Sequence, residues 1–219
     1  MNYNGLEIEK HHCPISLDKE ARDRIVDELT HVASDAFGKP RPRDDVEKHV
    51  LPVSTLLIAK RKNKAIGFST SNNYHLGDFA LIYGAGTCVL KSEQGNGIYP
   101  MLNEERLKTE LEKIKADDFY FSVRTQNPII YSSIGKVERI SELYPKPEEK
   151  TPKEILKIAK RISRVLGCEI NDGMVVKNAY DSCLYEKVPR CKDEKINDMF
   201  DALLNYNRDG LLIVGKILK

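Results

Sequence analysis

Residues 89–99, Val-Leu-Lys-Ser-Glu-Gln-Gly-Asn-Gly-Ile-Tyr, constrain this chain more than any other stretch. A β-rich apolar run ends at Val89 and Leu90, a polar loop with Gly95 and Gly97 follows, and a helical pattern begins at once. Glycine lets backbone N–H groups turn inward with no Cβ in the way. A helix N-terminus adds donors that have no intrahelical partner, together with the positive end of the helix dipole. Strand, loop and helix therefore predict an anion cradle, most simply for phosphate.

Composition narrows the setting. The 219 residues, 41% of them hydrophobic, suit one elaborated domain spanning 1–219 with a sizeable core. Lys and Arg total 35 against 33 Asp and Glu, and a net charge of +2 predicts no nucleic acid as partner and no anionic membrane. The longest apolar run, Leu211 to Val214, is far too short to span a bilayer. Five cysteines, none in a C-x-x-C pair, and the polar start Met1-Asn2-Tyr3-Asn4-Gly5 predict reduced thiols in the cytoplasm. His11-His12-Cys13 has no further spaced ligands nearby, so no metal is expected.

The periodicity predicts a strand at 6–9, then a helix capped by Asp18, buried through Ala21, Ile25, Leu29, Val32, Ala33 and Ala36, and stopped by Gly38. A short helix over 44–50 precedes a hairpin of strands 55–59 and 65–70 around the charged turn 60–64, which we read as solvated. A long strand at 79–90 leads into the glycine loop. The helix at 97–115 is expected to bury Ile98, Met101, Leu102, Leu111 and Ile114, with Pro100 tolerated in its first turn. A strand at 119–123 and a short helix opened by Asn127-Pro128 and stopped by Gly135 follow. Beyond a linker at 145–153 come a helix capped by Thr151, with Ile155, Ala159, Ile162 and Leu166 inward and Gly167 at its end, then a strand at 173–186, a helix at 193–205 and a closing strand at 210–218. A hairpin followed by strand-helix-strand implies an α/β (α+β) fold, a mixed sheet with helices on its faces.

Three phosphate loops compete for residues 94–99. A Walker loop needs G-x-x-x-x-G-K-[ST], which is absent. A dinucleotide fingerprint needs a third glycine and the first strand of the sheet, and Gly95-Asn96-Gly97 has neither. In the third, a loop joins a fourth strand to the next helix, and Gln94-Gly95-Asn96-Gly97-Ile98-Tyr99 resembles the acetyl-CoA signature [Q/R]-x-x-G-x-[G/A] of the GCN5-related N-acetyltransferases (GNAT). It matches at Gln94 and Gly97 and departs at Tyr99, and Pro100 removes one N–H from the first turn. Tyr131-Ser132-Ser133-Ile134-Gly135 resembles the family's Tyr-x-x-x-Gly segment, with Asn127 nearer than usual. The resemblance covers residues 6–137. It implies a mostly antiparallel central sheet, and 138–219 form an elaborated part with extra C-terminal helices.

The resemblance also implies an activity: an acetyl-CoA-dependent N-acetyltransferase, moving acetyl to a primary amine of a small molecule or peptide by direct attack on the thioester. The backbone near Val89 would hold the pantetheine and polarise the thioester. Gln94, Gly95, Asn96, Gly97, Ile98 and Tyr99 would hold the pyrophosphate, with Asn127 orienting the cofactor or Tyr131. The leaving thiolate needs an acid, and Tyr131 is the candidate. His75, Asp78 and Tyr83 are candidates for the base, with His75 foremost. The alternative is a CoA-binding or ligand-sensing protein of this fold without catalysis. The added helices are expected to cover the acceptor or form a homodimer surface.

Overall fold

The structure, a computed structural model, describes residues 5–218, so the polar start Met1–Asn4 and Lys219 lie outside the described residues. Two compact units emerge, one made of residues up to Tyr74 with Ile82–Lys115, the other of His75–Leu81 with Ala116–Lys219.

In the first unit, β1 (Leu6–His12), β2 (Thr55–Arg61), β3 (Lys64–His75) and β4 (Phe79–Val89) follow one another in sequence order. The β1–β2 and β2–β3 pairs are antiparallel, with Leu6 opposite Arg61 and His12 opposite Thr55. Lys62 and Asn63 both take positive φ and turn the hairpin. α1 (Lys19–Phe37) starts where the Asp18 carboxylate accepts from Ala21 N at 2.8 Å and stops at Gly38, whose φ is 74°. Leu56 and Ile58 of β2 join α1 and α2 (Arg43–Val50) in one apolar cluster. Leu57 and Ala59 join Ile98 and Leu102 of α3 (Ile98–Leu111) in another. The unbroken apolar run of β2 is thus buried on both faces.

α3 departs from the expected stripe. It ends at Leu111, and of the five expected core residues only Ile98 and Leu102 are buried. Its buried face continues instead as Asn103, Arg106, Leu107, Thr109 and Glu110. The facing strands explain this: β3 and β4 present Ser69, Ser71, Asn73 and Thr87, and polar side chains meet polar partners there.

In the second unit β8 (Gly210–Ile217) lies between β5 (Asp118–Thr125) and β6 (Ile140–Tyr144), antiparallel to both. Position 215 favours glycine, because a Cβ there would come 2.6 Å from Ile140 Cγ2 and force the facing strand to shift. The sequence pattern missed β6. The strand expected at 173–186 shrinks to β7 (Val175–Val176), paired with β8. Met174 and Asn178 bracket it with positive φ, which ends extended backbone on both sides. α4 (Pro128–Ile134), α5 (Lys153–Val165) and α6 (Glu194–Leu203) all form where a helix was expected. Thr151 does not cap α5: Pro152 holds the cap position, and the Thr151 hydroxyl faces Met174 Sδ. The expected class therefore stands: α/β, with mostly antiparallel strands, helices around them and two extra C-terminal helices.

Candidate functional site

The glycine loop sits in the first unit. Leu90 N donates to Ile66 O at 2.9 Å, keeping the end of β4 on β3, and a short 3-10 turn, Lys91–Glu93, leads to Gln94. The Gln94 side chain folds back and donates from Nε2 to Val89 O at 3.0 Å, tying the loop to the strand. Gly95 and Gly97 have φ of 83° and 79°, the left-handed conformation glycine permits without strain. Around Gly95 nothing lies within 4 Å of where a Cβ would stand, so the loop is open there. Among the described residues the N–H groups of Gly95, Asn96, Gly97, Ile98 and Tyr99 donate to no protein acceptor, whereas Met101 N already reaches Gly97 O at 3.2 Å. Five successive amides at the positive end of α3 make a set of donors suited to a diphosphate.

Tyr99, the departure from the expected signature, turns its side chain onto the cluster of Leu57, Ile66, Val89 and Leu102. Burial pushes its hydroxyl pKa upward, with Arg106 and Asn103 opposing. Its bulk therefore does not fill the open side of the loop at Gly95.

The second unit holds Asn127, Tyr131, His75 and Asp78, and the first unit holds Tyr83. Asn127 Oδ1 accepts from Ile129 N at 2.9 Å and caps α4, while its Nδ2 donates to Tyr185 Oη at 3.2 Å. Tyr131 is 7% exposed, stands edge-on to Phe200 and donates its hydroxyl to Pro145 O at 2.8 Å. Burial, with Glu149 and Asp193 adding to it, pushes its pKa to about 12. His75 is exposed at the end of β3, and its Nδ1 accepts from Gly77 N at 3.3 Å. In the neutral ring that bond leaves the proton on Nε2, so no ring lone pair remains until the bond opens. The Asp78 carboxylate is held by Arg161. Tyr83 is half-buried on β4.

Sequence reasoning missed three arrangements: the Arg161 grip on Asp78, the Asn127–Tyr185 contact and the buried Arg106 and Glu110 on α3. None carries a local signal, because the partners are far apart in the chain. His11 Nε2 meets Glu9 Oε1 at 2.6 Å. Among the described residues no group of three or more His, Cys, Asp or Glu is arranged to hold a metal, and no helix is long and apolar enough to cross a membrane.

No family model matches the chain, and no curated protein matches it. Solved structures do resemble it. The ribosomal-protein-S18-alanine N-acetyltransferase from Escherichia coli is 12% identical, with 98% of this chain and 95% of that one covered at a TM-score of 0.49. An aminoglycoside acetyltransferase from an uncultured soil metagenomic sample, solved in complex with trehalose, is 17% identical over 69% of this chain and 99% of its own, at 0.49. Naa50 of Arabidopsis thaliana, solved with a bisubstrate analogue, is 12% identical over 96% and 97%, at 0.46. Each of these is an acetyltransferase. At such identities and scores the likeness says nothing of what this chain binds or acts on.

Proposed function

We propose that this chain is an acetyl-CoA-dependent N-acetyltransferase of the GNAT kind, one acyltransferase-like domain that moves an acetyl group to the primary amine of a small molecule or peptide. The observation that carries the proposal is the run of unengaged N–H groups from Gly95 to Tyr99 at the start of α3, tied to Val89 through Gln94. A CoA diphosphate offers the negative oxygens such donors take. Asn96 and Ile98 contribute amides to the same run.

In the reaction the amine nitrogen attacks the thioester carbonyl, a tetrahedral oxyanion forms, the C–S bond breaks and the thiolate takes a proton. The backbone near Val89 is the proposed partner of the thioester, and Asn127 orients its neighbour Tyr131 or the cofactor. Tyr131 is the proposed acid, and it must first leave Pro145 O. His75 is the proposed base, and it must first release Gly77 N.

That both groups are engaged locally favours a second reading, a CoA-binding protein without catalysis. One experiment separates them. Acetyl-CoA at about 100 times its Kd stabilises a single-site protein by about 2.7 kcal/mol, so the melting temperature rises under either reading. Release of free CoA with any member of a primary-amine panel supports the transferase. Stabilisation with no release supports the second reading, and no stabilisation by acetyl-CoA removes both.

A further inference from the structure

Arg106 is a buried charged group that the proposed chemistry does not use. Its side chain is 1% exposed in the middle of α3. Burial pulls its pKa down to about 10, so it stays charged at neutral pH. Nη1 donates to Ser69 Oγ on β3 at 3.1 Å and to Thr87 Oγ1 on β4 at 3.4 Å. Those two hydroxyls are themselves bonded, Thr87 Oγ1 to Ser69 Oγ at 3.2 Å. Nη2 donates to Asn103 Oδ1, and Asn103 Nδ2 donates to Tyr99 O at 3.1 Å. A continuous hydrogen-bonded path thus runs from the two strands, through one guanidinium and one amide, to the first turn of α3.

One end of that path is part of the anion cradle, and the other lies on the strand that leads into it. Tyr99 supplies one of the unengaged N–H groups, and Thr87 stands two residues before Val89, on the same face of β4. The Gln94–Val89 bond closes the loop from one side, and the Arg106 path closes it from the other. A planar fork is the one side chain that can hold two hydroxyls and an amide oxygen at fixed angles. Replacing buried charged groups by well-packed apolar side chains is often neutral or stabilising, so stability is a weak reason for an arginine here.

We propose that Arg106 is a positioning residue for the anion site: through Asn103 and Thr87 it sets the angle between the end of β4 and the N-terminus of α3. The ligand it serves is the diphosphate of CoA. The proposal rests on the cradle reading above, and its test is built to fail separately from that reading.

Binding of CoA and of inorganic pyrophosphate is measured calorimetrically on the full chain for wild type, Arg106→Met, Arg106→Lys, Asn103→Leu and Leu107→Ala. Leu107 is fully buried on the same helix and outside the path, so its truncation reports what destabilisation alone does. The expected result is a Kd for both ligands raised about tenfold or more by Arg106→Met, as outer partners of a binding site typically do. Asn103→Leu, which cuts the path while leaving the cation, raises it similarly. Arg106→Lys restores it only in part, and Leu107→Ala leaves it unchanged. If Arg106→Met proves too unstable to measure, Asn103→Leu carries the decision. Unchanged affinity in Asn103→Leu, or an equal loss in Leu107→Ala, overturns the proposal while the cradle stands. A wild type that binds neither ligand removes the cradle itself.

Discussion

Arg161 grips Asp78 across 83 positions of sequence: its Nη1 donates to Asp78 Oδ2 at 2.9 Å, and its guanidinium carbon lies 4.7 Å from the centre of the Phe79 ring. A further N–H reaches Leu76 O, so one side chain fixes the whole turn between β3 and β4. Hydrogen bonding by Arg161 holds the Asp78 carboxyl below its ordinary value, which makes it a weak base and takes it out of the roles open to it from sequence. A lowered carboxyl contributes stability that is present above its unfolded pKa and lost as pH falls through the lower folded one. Arg161→Gln should therefore lower the melting temperature slightly at pH 7, with the gap to wild type closing below about pH 4. Thermal scans over that range check it, and a gap that persists at low pH would assign the loss to the Phe79 contact instead.

Gly95 offers a cleaner probe of the cradle than its neighbours. A methyl group there meets nothing within 4 Å, so Gly95→Ala adds no clash and acts only through its φ of 83°. An L-residue in the left-handed region costs about 1–2 kcal/mol, and the loop can relieve that by turning its amides away. Denaturant unfolding should show a loss no larger than this, while affinity for CoA falls. Gly67→Ala is the contrast, since its Cβ would stand 3.0 Å from Cys88 O and disturb the strands themselves.

Tyr131→Phe separates two jobs of one hydroxyl. Removing it leaves the buried Pro145 O without its 2.8 Å donor, a loss of about 1–2 kcal/mol seen in urea unfolding. If the same hydroxyl protonates the leaving thiolate, CoA release also falls by about a hundredfold or more. The transferase proposal expects both changes. A variant that loses stability and keeps turnover would confine Tyr131 to packing.

How much of this could be read from the chain follows from which signals are local. The Asp18 cap, the Gly38 stop and the Asn127-Pro128 start are set by neighbours in sequence, and each falls where the residues place it. The apolar runs of β2, β4 and β8 are likewise self-evident. The lower half of α3 departs from an apolar stripe because its buried face is polar: Glu110 has no exposed surface, yet accepts from Ser71 Oγ at 2.9 Å and Asn73 Nδ2 at 2.6 Å. An apolar stripe cannot announce a face that hydrogen bonds fill. The strand expected over 173–186 shrinks to Val175–Val176 for a related reason: the described residues after it are not held by a neighbouring strand. They are pinned by distant side chains, as where Gln126 Oε1 accepts from Leu184 N at 3.0 Å. Of the site, the loop was legible because glycines and a helix start mark it. The partners of His75, Asp78 and Tyr131 were not, because Gly77 N, Arg161 and Pro145 O are chosen by the fold.

Asp209 ties stability to pH through a buried carboxylate. It has no exposed surface, and its carboxylate accepts from Lys177 Nζ at 2.7 Å and from the N–H groups of Asn178 and Asn205, each at 3.2 Å. Burial raises its pKa, but Lys177 and the two N–H groups outweigh burial and leave it below the ordinary value. The folded state therefore binds this proton less readily than the unfolded chain does. The carboxylate's contribution is complete above the unfolded pKa of about 3.9 and disappears as pH falls through the lower folded value. Asp209→Asn keeps the shape, but turns an acceptor into a donor facing Lys177 or Asn205 N, a loss of about 2 kcal/mol or more at pH 7. Urea unfolding of both proteins from pH 7 down to about pH 2 should show the wild type descending toward the variant until the two nearly meet. Parallel curves across that range would mean that Asp209 acts through its shape and not its charge.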